Sequence, residues 1–398
     1  MKIAIVSRCS QVFPDIRGGA DLTAIEYALA LESTCDSVSF IGRGSLRGNN
    51  GKLNFIKINS SIRINSKSKI MYFLKAFILV VWSTVAAATN IRKERPAIVY
   101  TFSSFTTIIL KRMFKNLPVV YTVVDPVCAS SAFTGLESVI RYLNNWLMEK
   151  KAIIAADWII AISNDVKEQI LQLGLLEDKV TVLYPMPNPF LDGEMCLADN
   201  QSLKDVIKSP YILSVGSQMG RKRFDILIEA TRYIDNRLKL VLVGNGSQRK
   251  SLELLASLNG VREKIKFIDG VDDIALSILY KNSQLYVLVS EREGFPISTV
   301  ESATHGTPVL YFNPSISTEE YLSQHFLAFN NISPVFIAER INERFRMKNA
   351  GEMDRIETSR WAKGFFSSTE KIRKELTLLN ETLTNNFMKK IGSNSLWR

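Results

Sequence analysis

Residues 286–310 read YVLVSEREGFPISTVESATHGTPVL, and their punctuation decides the fold. Tyr286 to Val289 is an apolar run of strand length. Ser290 to Gly294 breaks it, and a helical stretch follows. Pro296 suits a first helical turn, where its missing N–H costs nothing. Gly306-Thr307-Pro308 closes the helix, and Val309 to Phe312 is a second strand. Strand, loop, helix, strand is one unit of a parallel sheet, with its loop at the carboxyl edge where such sheets bind ligands. The expected architecture is α/β, built on doubly wound parallel sheets.

The loop has chemistry to match. Amides around Gly294, Phe295, Pro296, Ile297 and Ser298 lie at the helix start, at the positive end of its dipole, and suit a phosphate. Glu293 stands just outside that anion site, and Glu301 follows eight residues on. A carboxylate repels phosphate but accepts hydrogen bonds from the hydroxyls of a ribose or hexose. The plainer reading makes Glu293 a helix cap and Glu301 a solvated side chain, and spacing alone leaves both open.

Working outward, the same alternation recurs. Tyr211 to Val215 is a strand, Gly216-Ser217-Gln218-Met219-Gly220-Arg221-Lys222 a basic loop, and Phe224 to Tyr233 a helix. Two cations at a strand's carboxyl end suit a diphosphate, Lys222 as a point charge and Arg221 as a bidentate fork. The alternative is a pair of solvated turn cations. Leu238 to Val243 and Ile265 to Ile268 are strands, and Ile274 to Tyr280 is a helix. Gly244-Asn245-Gly246 lacks the third glycine of a dinucleotide fingerprint. Asp272-Asp273 lacks a third metal ligand. In the first half, Lys2 to Ser7 is a buried strand, and Gly18-Gly19 precede a helix from Ala20 to Leu31. Ile70 to Ala88 is a mostly apolar run approaching membrane-spanning length. Lys75 interrupts it and the strand RPAIVYTFSS follows, so a buried helix is the favoured reading. Val119 to Val124 is a strand ending at Asp125-Pro126, and Leu147 to Ser163 is a helix, a turn and a strand. Asn164 to Leu173 is a helix and Val180 to Leu183 a strand. Pro185, Pro187 and Pro189 then open a polar stretch to Lys208, and Glu357 to Leu379 is largely helical.

EGFPISTVE followed by HGTPV resembles the signature of the retaining GT-B glycosyltransferases that use nucleotide-diphosphate sugars. The resemblance implies two Rossmann-like domains facing a cleft. They are expected at 1–188 on the acceptor side and 209–364 on the donor side, with a linker over 189–208. The C-terminal helix, about 365–398, is expected to pack back on the first. It also implies that Glu293 contacts the donor sugar, Glu301 the ribose and Lys222 the diphosphate, and that the nucleobase lies near Gly270 to Asp273. The family usually carries an Arg after the first glycine of the basic loop; here Ser217 stands there and Arg221 is the substitute. It usually carries a His just before Asp125; here Val124 stands there, and Asp125 is the candidate for the role. The Gly18-Gly19 loop would lie against donor phosphates and acceptor. The implied catalytic set is Glu293, Asp125 and Lys222. The implied donor set is Gly18, Gly19, Gly216, Arg221, Lys222, Gly294, Phe295, Pro296, Ile297, Ser298 and Glu301. No metal and no cofactor is implied. The function expected is hexosyl transfer with retention from a UDP- or GDP-linked sugar to a lipid-linked or polysaccharide acceptor, in cell-surface polysaccharide synthesis.

Composition narrows the classes. The 398 residues carry a net charge of +11 and 46% hydrophobic residues, enough for two cores. Four scattered cysteines without a C-x-x-C pair fit a reducing, cytoplasmic setting. The N-terminus is too short and strand-like for a signal peptide. Charge is concentrated between Arg43 and Lys115, where fourteen Lys and Arg face one acid, Glu94. Such a region suits an anionic partner, and a peripheral place on the inner face of a membrane is expected over a nucleic acid, because no nucleic-acid motif accompanies the charge; a solvated basic face is the equal alternative. A silent GT-B-like scaffold and a nucleotide-sugar epimerase are the competing functions.

Overall fold

The computed structural model describes residues 1–7, 19–43, 53–58, 69–124, 147–175, 177–187, 201–291, 293–312, 326–347, 352–365 and 369–391. They divide into two compact units, Met1–Pro185 with Ser367–Arg398, and Met186–Phe366.

The first unit runs β1 (Lys2–Val6), α1 (Gly19–Glu32), β2 (Ser37–Gly42), β3 (Leu53–Lys57), α2 (Lys69–Glu94), β4 (Ile98–Thr101), α3 (Ser104–Met113) and β5 (Val119–Val123). It continues with a helix α4 through 147–155, β6 (Trp158–Ala161), α5 (Asn164–Leu171) and β7 (Val180–Val182). The seven strands lie in the order β3-β2-β1-β4-β5-β6-β7, parallel at every pair. Strands buried on both faces read as continuous apolar runs, as IAIV and VVYTV do. The 70–88 run is a helix packed on this sheet. Ala87, Ala88 and Ile91 of α2 join Ala4, Val6, Val99 and Val119 in one core cluster. Among the described residues no helix is long and apolar enough to cross a membrane.

The second unit runs α6 (Gln201–Ile207), β8 (Tyr211–Val215), α7 (Phe224–Ala230), β9 (Lys239–Val243), α8 (Arg249–Leu258), β10 (Ile265–Ile268) and α9 (Asp273–Asn282). It goes on through β11 (Leu285–Leu288), α10 (Ile297–Thr304), β12 (Val309–Phe312), β13 (Phe326–Phe329), α11 (Pro334–Arg346) and α12 (Glu352–Phe365). Its six strands lie in the order β10-β9-β8-β11-β12-β13, again parallel throughout. The order reverses between β8 and β11, and ligands bind at the carboxyl ends of strands at such a reversal. The basic loop leaves β8 and the glutamate loop leaves β11, so topology alone makes them neighbours.

Two expectations need adjusting. The stretch expected as a linker, 189–208, holds a helix at its end, α6, which forms because Leu203 and Val206, three apart, are both buried; residues 189–200 lie outside the described ones. The helical stretch over Glu357–Leu379 is two helices of different units. α12 stays with the second unit, where Arg355 donates to Ser283 O at 3.0 Å and Trp361 meets Phe326 edge-on at 5.2 Å. The other, α13 (Thr369–Ile391), belongs to the first. Its Ile372, Leu376, Leu379 and Leu383 form the buried stripe, and Asn380 accepts a 2.6 Å hydrogen bond from Tyr100.

Candidate functional site

The basic and glutamate loops meet through charge. Glu293 is buried, and its two oxygens are divided between Lys222 Nζ at 2.5 Å and Arg221 Nη1 at 2.9 Å. Burial pushes its carboxyl up, but Lys222 and then Arg221 outweigh burial and hold it below the ordinary 4.5. A depressed carboxyl stabilises the fold above its unfolded value, and that stability is lost as pH falls through the folded one. We therefore expect the thermal midpoint of the second unit to carry a Glu293-dependent fall only below about pH 4.5. Glu293→Gln should flatten that portion of the curve; an identical acid limb in the variant would contradict the pairing.

Backbone geometry sets where the cations stand. The Lys222 stem passes over Gly216, where an added Cβ would meet Lys222 Cε at 3.4 Å. The loop then rests on the loop after β9, through Gly216 N to Val243 O at 2.9 Å and Gln218 N to Asn245 O at 3.0 Å. Gln218 is fully buried and its side-chain amide donates to Gly244 O at 2.8 Å. Gly244, at φ +127, and Gly246 admit this contact: a Cβ on either would fall 2.1 Å from Gly216 O or 2.4 Å from Gln218 O. The G-x-G discounted as a dinucleotide fingerprint is thus the floor beneath the basic loop. Arg223 closes that loop at φ +48, a left-handed conformation that costs a non-glycine residue about 1 kcal/mol. Its guanidinium binds Asp225 and, at 3.0 Å, Glu291, while Glu291 N donates to Arg221 O at 2.9 Å. The two loops are therefore joined by side chains and by backbone.

Behind them lies a row of buried hydroxyls. Tyr280 donates to Glu301 Oε2 at 2.8 Å, and His305 Nδ1 lies 2.6 Å from Glu301 O while its Nε2 meets Ser277 Oγ at 3.0 Å. Burial first and Glu301 second raise the Tyr280 phenol, so it remains a donor. The Tyr286 hydroxyl sits between the loops, 2.7 Å from Ser298 Oγ and 3.2 Å from Val215 O. Tyr286→Phe should lower the midpoint of the second unit by a few degrees, from about 1 kcal/mol lost per buried hydrogen bond. It should also weaken nucleoside diphosphate binding severalfold in calorimetry. Unchanged affinity would show that this clasp does not set the loops.

The structure brings Gly216, Arg221, Lys222 and Glu293 together, and places Phe295 to Ser298 at the start of α10. There it narrows the expected anion cradle. Pro296 has no N–H, and the Ile297 N–H turns back onto Phe295 O at 3.0 Å. Glu301 is buried one turn further along α10 and is neither cap nor solvated, so the plainer reading of both glutamates fails. Gly19 opens α1; Gly18 and Asp125 lie outside the described residues, and Val124 directly follows β5. Asp272 accepts from Ala275 N at 2.7 Å as the cap of α9, which accounts for one of the acidic pair. Sequence reading missed Arg223, Glu291, Gln218, Tyr280 and Tyr286. A basic residue directly after Lys222 was a legible signal; the tyrosines looked like core.

Comparison with known proteins places this site in a family. Residues 198–355 match the family described as glycosyl transferases group 1, and residues 17–188 match Glycosyltransferase Family 4. Both are glycosyltransferase families, and the two matches together span most of the chain. It is similar to an uncharacterized glycosyltransferase of Haemophilus influenzae, 27% identical over 75% of this chain and 78% of that one. It is also similar to the Staphylococcus aureus capsular polysaccharide biosynthesis glycosyltransferase CapM, 28% identical over 44% and 48%. Sucrose-phosphate synthase of Thermosynechococcus elongatus has the same fold, with a TM-score of 0.80 and 18% identity, over 97% of this chain and 99% of that one. Anabaena HepE, solved with UDP and glucose, aligns with a TM-score of 0.71 and 16% identity over 97% and 100%. The structural likenesses establish the GT-B fold for this chain.

Proposed function

We propose that the chain transfers a hexose, with retention, from a UDP- or GDP-linked donor to a hydroxyl of a lipid-linked or polysaccharide acceptor, in the synthesis of a cell-surface polysaccharide. The observation that carries this is the buried Glu293 shared by Lys222 and Arg221 at the strand-order reversal of the second unit. A donor diphosphate takes the two cations, and Glu293 turns to the sugar hydroxyls. As the bond from the sugar to the diphosphate breaks, negative charge grows on the leaving oxygen, and fixed cations there lower the barrier. Glu301, oriented by Tyr280, accepts from the ribose hydroxyls. A concavity at the end of β10, lined by Phe267, Gly270 to Asp272 and Ala275, suits the base. Ala275 and Tyr280 share α9, which links this concavity to the Tyr280–Glu301 pair. Nucleotide sugars in HepE and polysaccharide synthesis in CapM, by their names, support the donor and acceptor classes.

The test is incubation of the pure chain with labelled UDP- and GDP-sugars, with and without a lipid-linked oligosaccharide. Acceptor-dependent release of nucleotide supports transfer. Binding without turnover would replace this reading with a scaffold, and an altered sugar still joined to its nucleotide would replace it with an epimerase.

A further inference from the structure

Two pairs of side chains face each other across α9 and α10. Ser277 and Tyr280 are three apart on α9, and Glu301 and His305 are four apart at the end of α10, so each pair lies on one helix face. Between the helices Tyr280 donates to Glu301 Oε2 at 2.8 Å, and His305 Nε2 meets Ser277 Oγ at 3.0 Å. Stacking closes the diagonal, with the His305 and Tyr280 ring centres 5.5 Å apart and their planes inclined by 28°. Tyr280 in turn lies 6.1 Å from Tyr286, whose hydroxyl meets Ser298 between the two loops of the site. The tyrosines are fully buried and His305 is half-buried, so His305 is the outer end of an aromatic row that runs to the donor site.

The imidazole is fixed at both nitrogens. Nδ1 lies 2.6 Å from the Glu301 carbonyl oxygen, which only accepts, so in the neutral ring Nδ1 carries the proton and Nε2 accepts from the Ser277 hydroxyl. That carbonyl has other donors, Thr304 Oγ1 at 2.8 Å and the His305 backbone N–H at 3.2 Å. It needs no imidazole to be satisfied; what the contact sets is the plane and tautomer of the ring. Capping α10 does not require a histidine either. α8 ends on Asn259, whose side-chain amide donates to Leu255 O at 2.9 Å, the same four-residue return without a ring.

We propose that His305 is a positioning residue for the donor ribose: its ring, pinned to α9 and α10 together, holds Tyr280 so that the Tyr280 hydroxyl keeps Glu301 aimed at the ribose hydroxyls. This role rests on Glu301 holding the ribose, as in the function proposed above. A binding carboxylate works only when held within about 0.5 Å of its productive place, by a neighbour whose own rotamer is locked. Tyr280 is the neighbour that touches Glu301, and His305 is the group that packs on Tyr280 while anchored to both helices. If His305 did no more than cap α10, its loss would cost stability without altering which nucleotide binds.

The experiment is titration calorimetry of the full chain with UDP, GDP and the 2′,3′-dideoxy form of each. The parent should bind a ribonucleotide at least about tenfold more tightly than its dideoxy form, the usual worth of a hydrogen bond to a carboxylate. His305→Asn keeps the return to Glu301 O and removes the ring. It should melt close to the parent, yet cut the ribose preference about fivefold, through weaker binding of the ribonucleotide alone. Ser277→Ala, which releases Nε2 but leaves the ring, should cut it about twofold. In turnover, His305→Asn should raise the donor KM more than it lowers kcat, because the ribose is held alike in the ground and transition states. An unchanged ribose preference in His305→Asn, or equal losses for the ribo and dideoxy forms, would overturn the inference and leave His305 a cap. A parent that binds neither nucleotide, or binds both forms alike, would instead remove Glu301 from the ribose, and the inference would fall with that reading.

Discussion

Lys222→Ala lowers the rate of acceptor-dependent nucleotide release by about 100- to 1,000-fold, the usual cost of removing one preorganised group that faces developing negative charge. The geometry explains why one side chain carries so much. Lys222 is nearly buried, at 13% side-chain exposure, whereas Arg221 is 39% exposed and more screened by water. Fold is a smaller part of the effect, because Glu293 keeps Arg221 when Lys222 is removed. Lys222→Arg should restore little: its stem packs so closely over Gly216 that a Cβ there would come within 3.4 Å of Lys222 Cε, and a planar guanidinium cannot reproduce the point charge at the end of that stem. The comparison is of kcat in parent and variant at saturating donor, with the melting curve as control. A parent-like kcat in Lys222→Ala would remove the cation cluster from the mechanism.

Gly244→Ala produces the largest expected effect on the fold. The added Cβ would lie 2.1 Å from Gly216 O and 2.9 Å from its carbonyl carbon, and both are backbone atoms at the end of a central strand. Overpacking costs about 1–3 kcal/mol and a left-handed φ in a non-glycine residue about 1–2 kcal/mol. Together they should lower the midpoint of the second unit by about 10 °C. Nucleotide binding should fail along with it, because the basic loop rests on this contact. Gly260→Ala, in the same unit, is the fitting control. Its φ is +67, but a Cβ there meets nothing within 4 Å, so only the conformational cost remains. Equal shifts in the two variants would mean that backbone contact between the loops contributes nothing.

Much of this architecture was readable before any coordinates. IAIV, VVYTV, YILSV and KLVLV announce strands buried on both faces, and the breaks between them admit helices, which is the grammar of a parallel sheet. β2, β3 and β13 are harder to read because SVSFIG and LNFIK mix polar with apolar residues instead of running continuously apolar, and FLAF is only four residues long. α8 and α11 carry clear helical periods, with buried Leu252 and Ala256 four apart in one and Ile337 and Ile341 four apart in the other. The site was legible to the extent that local chemistry shows in local sequence: Arg221, Lys222, Glu293 and Glu301 stand out by type and spacing. What each one touches was not legible. Seventy-one residues separate Lys222 from Glu293, and only the reversal of strand order between β8 and β11 makes them neighbours. Tyr280 and Tyr286 were hidden for another reason. A buried tyrosine looks like packing until the partner of its hydroxyl is known. Arg223 stood in plain view, but its left-handed backbone cannot be read from the letter R.

Shared possession of both cations by Glu293 also bears on selectivity among small anions. Orthophosphate or sulfate, offering no more than a compact charge, must dislodge a carboxylate already tethered to the same chain and has no second foothold with which to do so. A pyrophosphoryl group fastened to a nucleoside brings its own anchorage. On the proposed function, the site would therefore have a built-in threshold, which abundant inorganic ions fall short of and an intact sugar nucleotide clears.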